Sequence, residues 1–488
     1  MCFFFFSYFL TEQAIQLHFF HLNGFSFLLH PPSTMGSACY LSFTLFFAFS
    51  FITCTNCIEY LKLPLVQKNN PLSLPAQLLS SDTHRLSTLF AALHGRRGSL
   101  KSPLVSGAST GSGQYFVDLR IGSPPQSLLL VADTGSDLVW VKCSACRNCS
   151  AHPPGSKFLV RHSRTFAPHH CYDSSCRLVP HPVQTQSQTR TCNQSKIHSP
   201  CLYSYSYVDG STTSGLFSKE TTTFNTSSGR VTKVKDFSFG CGFRVSGPSV
   251  TGASFNGAQG VLGLGRGTIS FSSQLGRTFG NRFSYCLLDY TISPPPKSFL
   301  TIGASKRDAV SRKLFSYTPL VKNPLSPTFY YIAVESLFVE GAKLPISPSV
   351  WTVDENGNGG TVVDSGTTLT FLAEPAYRQV LAAFRRRVRL PPVEGANLGF
   401  DLCVNVTGAG KVKLPKLSFS FSGKSVMSPP ARNYFIEAAE GVKCVAIQAV
   451  KEGSGFSVIG NLMQQGYLFE FDRDRSRLGF TRHGCTLP

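Results

Sequence analysis

Charge is scarce in this chain: Asp, Glu, Lys and Arg make up 15% of its 488 residues, against about 25% in an average globular protein. With no sustained heptad pattern, that excludes a coiled coil. No lysine or arginine precedes Lys62, so the usual basic start of a targeting signal is missing. Long apolar runs are also missing: Cys2–Leu10 and Tyr40–Thr53 are each shorter than the roughly 20 residues of a spanning helix. The close-spaced Cys143, Cys146 and Cys149 lack the downstream Cys-x-x-Cys or paired His that would complete a zinc site. Gly263-Leu264-Gly265-Arg266-Gly267 lacks the Lys-[Ser/Thr] of a phosphate loop. The end, Gly484–Pro488, has neither the hydrophobic tail of a lipid-anchor signal nor an ER-retention sequence.

What is abundant points to a turn-rich β protein. Glycine (42) and proline (30) are frequent, and 12% of residues are aromatic, which argues against a largely disordered chain. Short alternating or apolar runs read as strands: Gln114–Ile121, Ser127–Ala132, Val139–Lys142, Phe237–Phe239, Gly260–Leu264, Phe299–Ile302 and Tyr330–Val339. Helical periodicity is clear at Glu374–Val388, opened by Pro375. The expected class is all-β.

The first 57 residues read as an upstream extension followed by a signal peptide starting at Met35, with small residues around Thr53–Asn56 as the cleavage zone. Residues 58–110 have the composition of a removable pro-segment or linker. Sixteen cysteines are present; Cys2, Cys39, Cys54 and Cys57 fall in the leader, and the even dozen left reads as disulfides of the secretory pathway. Sequons at Asn148, Asn193, Asn225 and Asn405 agree with secretion. Residues 1–100 hold five basic and three acidic residues, so nearly all of the net charge of +20 lies beyond them. The densest basic run, Arg385–Arg387 with Arg389, reads as a solvated helix face and not as a nucleic-acid surface.

One internal similarity organises the rest. Val131-Ala132-Asp133-Thr134-Gly135-Ser136 is echoed 231 residues later by Val362-Val363-Asp364-Ser365-Gly366-Thr367. Each copy is followed at a distance by an apolar pair and glycine, Val261-Leu262-Gly263 and Val458-Ile459-Gly460. By composition, one Asp-[Ser/Thr]-Gly-[Ser/Thr] arises by chance on the order of 0.05 times in such a chain. Two copies in matching contexts indicate two related lobes, placed at 111–305, with a Cys-rich insertion at 143–201, and at 306–488. An Asp leaving an apolar strand into a Gly turn is held at the strand end, and the hydroxyls can orient its carboxylate. Two such turns related by a pseudo-dyad would set two carboxylates side by side, sharing one proton. That pair can activate water as general base and general acid, and no metal or cofactor is required.

These motifs resemble those of pepsin-like aspartic proteases, and the Cys-rich insertion resembles the nepenthesin-type plant branch. The likeness runs from Gly113 to Cys485 and includes Gly113–Phe116, Ile121–Gln126, Asp133–Trp140, Asp364–Thr367, Ile459–Asn461, Gln464-Gln465 and Phe471-Asp472. The resemblance implies a bilobal fold with a central cleft, and a monomer acting on polypeptides at acidic pH. It implies Asp133 and Asp364 as the catalytic pair, braced by Thr134, Gly135, Ser136, Ser365, Gly366 and Thr367. It also implies Tyr207 as the flap tyrosine over substrate and Trp140 as its partner, with Val208 standing where the family usually has Gly. The disulfides it implies are Cys143–Cys146, Cys149–Cys241, Cys171–Cys201, Cys176–Cys192, Cys286–Cys485 and Cys403–Cys444. The alternative is a non-catalytic cleft-binding protein on the same fold, of the xylanase-inhibitor-like kind. Those relatives usually lose part of the motif, whereas both copies stand here.

The basic body also fits an acidic cell-wall polysaccharide. It predicts retention on immobilised polygalacturonate that salt elutes. No retention at low salt, or retention unchanged at high salt, would count against it.

Overall fold

The computed structural model describes residues 60–67, 82, 114–147, 157–180, 198–206, 211–251, 255, 257–288, 298–303, 314–393, 398–410, 412–450, 455–482 and 485. The chain divides into the units Met1–Cys57 and Ile58–Pro488, and every described residue belongs to the second. The expected signal peptide, Asn148, Asn193, Tyr207 and Val208 lie outside the described residues.

The fold is all-β and bilobal. Its base is an antiparallel sheet to which both halves contribute. Leu61–Gln67 pairs with Ser298–Ile302, which pairs with Arg282–Cys286. That strand pairs in turn with Leu468–Asp472, followed by Arg477–Thr481 and Ser316–Val321. Aromatic side chains lock the junction: Phe283 stacks on Phe471 with centroids 4.5 Å apart, and Tyr330 meets Phe471 edge-on at the same distance. Apolar burial of this kind is the main favourable term in folding.

Each lobe then builds a strand system around its Asp motif. In the first, Tyr115–Ile121 is buried at every position except Asp118 and Arg120 and pairs antiparallel with Gln126–Asp133. The latter runs parallel to Gly260–Gly263, which also meets Trp140–Arg147 antiparallel at Trp140↔Val261. In the second, Thr361–Val363 runs parallel to Ser457–Ile459, which meets Thr370–Ala373 antiparallel at Phe371↔Val458. Phe371 stands 231 positions after Trp140, so the repeat holds in strand pairing as well as in sequence.

The helix Glu374–Arg387 buries Ala376, Tyr377, Val380, Leu381, Ala383 and Phe384. Arg385, Arg386 and Arg387 fall in the last turn, where cations complement the helix dipole; Arg385, Arg386 and Arg389 are exposed. A second helix, Phe271–Phe279, starts at Ser270, whose side chain accepts from the Ser273 N–H.

Within residues 58–110, Leu61–Gln67 is a strand between Ser298–Ile302 and Tyr115–Ile121, with Leu61, Leu63 and Leu65 buried. One part of the sequence reading changes, the disulfide pairing. Cys143 bonds Cys241, with Cα atoms 5.5 Å apart, and so neither Cys143–Cys146 nor Cys149–Cys241 forms. Cys143 and Cys146 lie on one extended strand, where residues three apart are separated by roughly 10 Å, beyond the roughly 7 Å a disulfide spans. The parallel register Val141↔Cys241 brings Cys241 alongside instead. Cys176 bonds Cys201, which displaces both Cys171–Cys201 and Cys176–Cys192. The backbone puts Cys201 against His169 and Cys171 against Ser199, and the turn Ser174–Leu178 carries Cys176 back to Cys201. Cys149 and Cys192 lie outside the described residues, and Cys146 and Cys171 are themselves disulfide-bonded. Cys286–Cys485 and Cys403–Cys444 are present.

Asp472, buried at the end of the inner strand Leu468–Asp472, pairs with Arg282, Arg475 and Arg477 at 3.0–3.2 Å. Burial pushes its carboxyl up, but the three arginines outweigh burial and hold it below the ordinary range. Its stabilisation is therefore present above the unfolded carboxylate pKa and is lost as pH falls through the lower folded value. Asp472→Asn should cost about 3 kcal/mol near neutral pH, and the gap to wild type in chemical denaturation should narrow below the usual carboxylate range. A pH-independent gap would contradict this.

Candidate active site

Asp133 ends its strand and is nearly fully buried. The Gly135 N–H donates to its Oδ1 at 2.8 Å and the Ser136 hydroxyl to its Oδ2 at 2.6 Å. Asp364 repeats the pattern. The Gly366 N–H donates to Oδ1 at 3.0 Å and the Thr367 hydroxyl to Oδ2 at 2.5 Å. In both loops the N–H two residues on turns back onto the Asp carboxylate, and the hydroxyl three residues on fixes the carboxylate plane.

The loops are tied to each other by Thr134 and Ser365, both buried. The Thr134 N–H donates to Ser365 Oγ at 3.1 Å, and the Ser365 N–H donates to Thr134 Oγ1 at 2.9 Å. Each hydroxyl then donates across to the other lobe, Thr134 to the Val363 carbonyl at 3.2 Å and Ser365 to the Ala132 carbonyl at 2.9 Å. The structure thus brings together Asp133, Thr134, Gly135 and Ser136 with Asp364, Ser365, Gly366 and Thr367.

The glycines downstream have a steric reason. A Cβ on Gly263 would come within 2.5 Å of the Asp137 backbone, and one on Gly460 within 2.0 Å of the Leu369 carbonyl oxygen. Each strand passes directly beneath the opposite edge of its Asp loop, where only glycine fits.

Several residues of the motifs gain roles that sequence had not given them. The Asn461 side-chain amide donates to the Ser365 carbonyl at 3.0 Å, and Gln464 Nε2 donates to the Asp364 carbonyl at 3.2 Å. Gln464 Oε1 accepts from the Tyr285 hydroxyl. Burial and the charge of Asp364 push the Tyr285 phenol far above its ordinary range, so it stays a donor. Gln465 donates to the Tyr115 hydroxyl at 2.9 Å. Buried Asp82 was also missed: its carboxylate accepts from the Thr368 N–H at 2.9 Å and from the Leu369 N–H. No motif marks that position in the sequence.

Trp140 is buried and stacks on Phe255, with centroids 6.0 Å apart; its Nε1 has no hydrogen-bond partner among the described residues. Lys142, two residues on and fully buried, donates to the Ala258 carbonyl at 3.3 Å over the same Phe255 ring. Burial pushes its ammonium down to about 8, so it remains charged in acid.

Residues 115–304 match the family model described as Xylanase inhibitor N-terminal, and residues 329–482 match Xylanase inhibitor C-terminal. Aspartyl protease family protein 2 of Arabidopsis thaliana is 38% identical over 434 residues, covering 86% of this chain and 83% of that protein. Aspartic proteinase nepenthesin-2 of Nepenthes gracilis is 34% identical over 402 residues, covering 82% and 83%. The crystal structure of edgp shares the fold with a TM-score of 0.63 at 21% identity, covering 86% of this chain and 94% of that one. The chain belongs to the nepenthesin-type plant branch of the pepsin-like aspartic proteases, aspartic-type endopeptidases whose substrates are polypeptides.

The cross-lobe bonds of Thr134 and Ser365 form one network, so their losses should not add. Thr134→Val and Ser365→Ala should each cost about 1–3 kcal/mol, because each strands the other residue's buried N–H and loosens the approach of the loops on which the remaining bond depends. The double variant should cost clearly less than the sum. Additivity to within about 0.5 kcal/mol would show that the two do not act as a unit.

Proposed function

We propose that this protein is a secreted endopeptidase in which Asp133 and Asp364 activate water for attack on a peptide carbonyl. The observation that carries the reading is the reciprocal bonding of Thr134 and Ser365, which sets the two Asp loops back to back with the same hydrogen bonds on each carboxylate. In the working state the pair holds one proton. The charged carboxylate takes a proton from water as the water oxygen bonds to the carbonyl carbon, and the neutral carboxyl gives its proton to the carbonyl oxygen. Collapse of the tetrahedral diol breaks the C–N bond: the neutral carboxyl gives its proton to the departing nitrogen while the charged carboxylate takes one from a diol hydroxyl, which becomes the carbonyl of the acid product, so the pair again holds one proton. Because one proton must be present and the partner charged, the reaction favours acidic pH.

Tyr207 is proposed to close over the substrate. Among the described residues Nε1 of buried Trp140 has no acceptor; a buried indole N–H ordinarily finds one, and a flap hydroxyl would supply it. Residues 58–110 are proposed as the pro-segment. Its docking, through the strand Leu61–Gln67 and through Asp82 on the loop that follows Asp364, supports a precursor form of the enzyme. The sixteen cysteines and the sequons, with Asn225 and Asn405 exposed, support export to the apoplast or vacuole. The net charge of +20 supports retention there on acidic polysaccharide.

A second reading is a binding protein on the same scaffold, favoured by the xylanase-inhibitor descriptions of the matching family models. Two intact Asp-[Ser/Thr]-Gly-[Ser/Thr] loops weigh against it.

Cleavage of denatured haemoglobin by pro-segment-free protein decides between them. Acid-favoured, pepstatin-sensitive cleavage that falls at least about 10²-fold in Asp133→Asn is expected from loss of one acid–base group. No cleavage by folded wild type, or cleavage unaffected by the substitution, would overturn the proposal.

A further inference from the structure

The first loop carries a carboxylate that the second does not. Asp137 follows Asp133 by four residues, and the matching position in the second copy is Thr368. Asp137 Oδ1 accepts the Gly267 N–H at 2.7 Å, and its Oδ2 accepts the hydroxyl of Thr328, a second-lobe residue, at 2.7 Å. The contact is reinforced by the Arg266 N–H, which donates to the Thr328 carbonyl at 3.0 Å, and by the Tyr330 hydroxyl, which donates to the Leu264 carbonyl at 2.8 Å. The slot around Asp137 is cleared by glycine: a Cβ on Gly265 or Gly267 would come within 2.4 and 2.3 Å of its carboxylate oxygens.

The charged and titratable groups facing Asp137 are few. Arg473, whose guanidinium donates to Ser272 Oγ and to the Arg266 carbonyl, approaches from the shared sheet. Arg266 and Tyr330 flank the slot, and Asp133 lies on its own loop. Burial pushes the Asp137 carboxyl up; the Thr328 and Gly267 hydrogen bonds and Arg473 oppose this, and the charge of Asp133 adds to it, leaving a net upward shift. Asp137 is therefore neutral in acid and gains its charge as pH rises. The coupling is reciprocal: once ionised, Asp137 strengthens the hold of the Asp133 loop on its proton. Both forms keep the contact to Thr328, because the neutral carboxyl can donate where the carboxylate accepts.

We propose that Asp137 is a positioning residue of the proteolytic site, pinning the Asp133 loop to the second lobe through Thr328 and using its negative charge to keep a proton on the Asp pair as acidity falls. This rests on the proteolytic reading above. The two roles separate by substitution. Asp137→Asn keeps a donor and an acceptor in place and removes the charge; Thr328→Val removes the pin and keeps the carboxyl.

The test is the pH profile of kcat/KM on a peptide substrate, using pro-segment-free enzyme. Asp137→Asn should move the falling, less acidic limb to lower pH by about half a unit or more, as expected for loss of a neighbouring negative charge. Thr328→Val should lower kcat about tenfold, as expected when a reacting group is misplaced, with the limb moved less than in Asp137→Asn, since loss of the Thr328 hydrogen bond only delays ionisation of Asp137, and Thr328→Ser should restore kcat. A superimposable Asp137→Asn profile overturns the charge role, and wild-type kcat in Thr328→Val overturns the pin. If Thr328→Val does not fold, kcat in Thr328→Ser as low as in Asp137→Ala also overturns the pin. Asp133→Asn, run alongside, tests the underlying reading separately: activity surviving there would sink that reading, whatever Asp137 does.

Discussion

The structure depends on a small buried polar contact, the exchange of hydrogen bonds between Thr134 and Ser365. A buried N–H or hydroxyl without a partner is costly. Here each loop supplies what the other lacks, so the two lobes satisfy their polar groups together or not at all. That fixes the approach of the loops more tightly than apolar packing could, since packing tolerates small slides and hydrogen bonds do not. The shared sheet beneath provides the apolar burial, with Phe283, Phe471 and Tyr330 in contact. Burial joins the lobes, and the polar exchange sets where the carboxylates stand.

The proposed work in acid requires the fold to persist while carboxylates protonate, and this chain has few to lose, with 26 Asp and Glu in all. Those buried within the fold are matched to specific donors. Glu220 is held by Ser163, Thr165 and the Thr221 N–H, and Glu470 by Tyr317 and Arg282. Asp472 keeps its charge further into acid than an ordinary carboxyl because three arginines surround it. Asp137 behaves in the opposite way, since burial outweighs its donors. The same residue type thus serves as a structural anion under the sheet and as a titrating group beside the site.

Much of the fold and of the site could be read from the sequence, because the features concerned are local or repeated. The Asp-[Ser/Thr]-Gly-[Ser/Thr] loops are contiguous, and the strands at 115–121 and 126–133 alternate or run apolar over their whole length. The helix Glu374–Arg387 shows its buried face over almost four turns. The helix Phe271–Phe279 does not. At nine residues with Gly276 inside, its buried Phe271, Leu275 and Phe279 give too short a pattern to stand out. Disulfide partners were misassigned because pairing depends on strand register, which brings Cys241 beside Cys143 across 98 residues of sequence. Asp82 and Asp137 escaped for a related reason. Their chemistry comes from what they meet, Thr368 in one case and Thr328 in the other, and nothing near them in the chain announces those partners.

The value of the repeat lies as much in where it fails as in where it holds. Strand pairing, the Gly beneath each loop and the hydrogen bonds of each carboxylate are common to both lobes. A perfectly symmetric pair of carboxylates would have no reason to place its shared proton on one side. General acid–base work needs the two to differ at each step, one giving and one taking. The differences come from outside the repeated motif. Gln464 and Asn461 brace the backbone of the second loop. The first loop instead leans on Asp137, a titratable group, where the second has the uncharged Thr368. Pseudo-symmetry brings the carboxylates together, and the surroundings that break it give each one its own electrostatic environment.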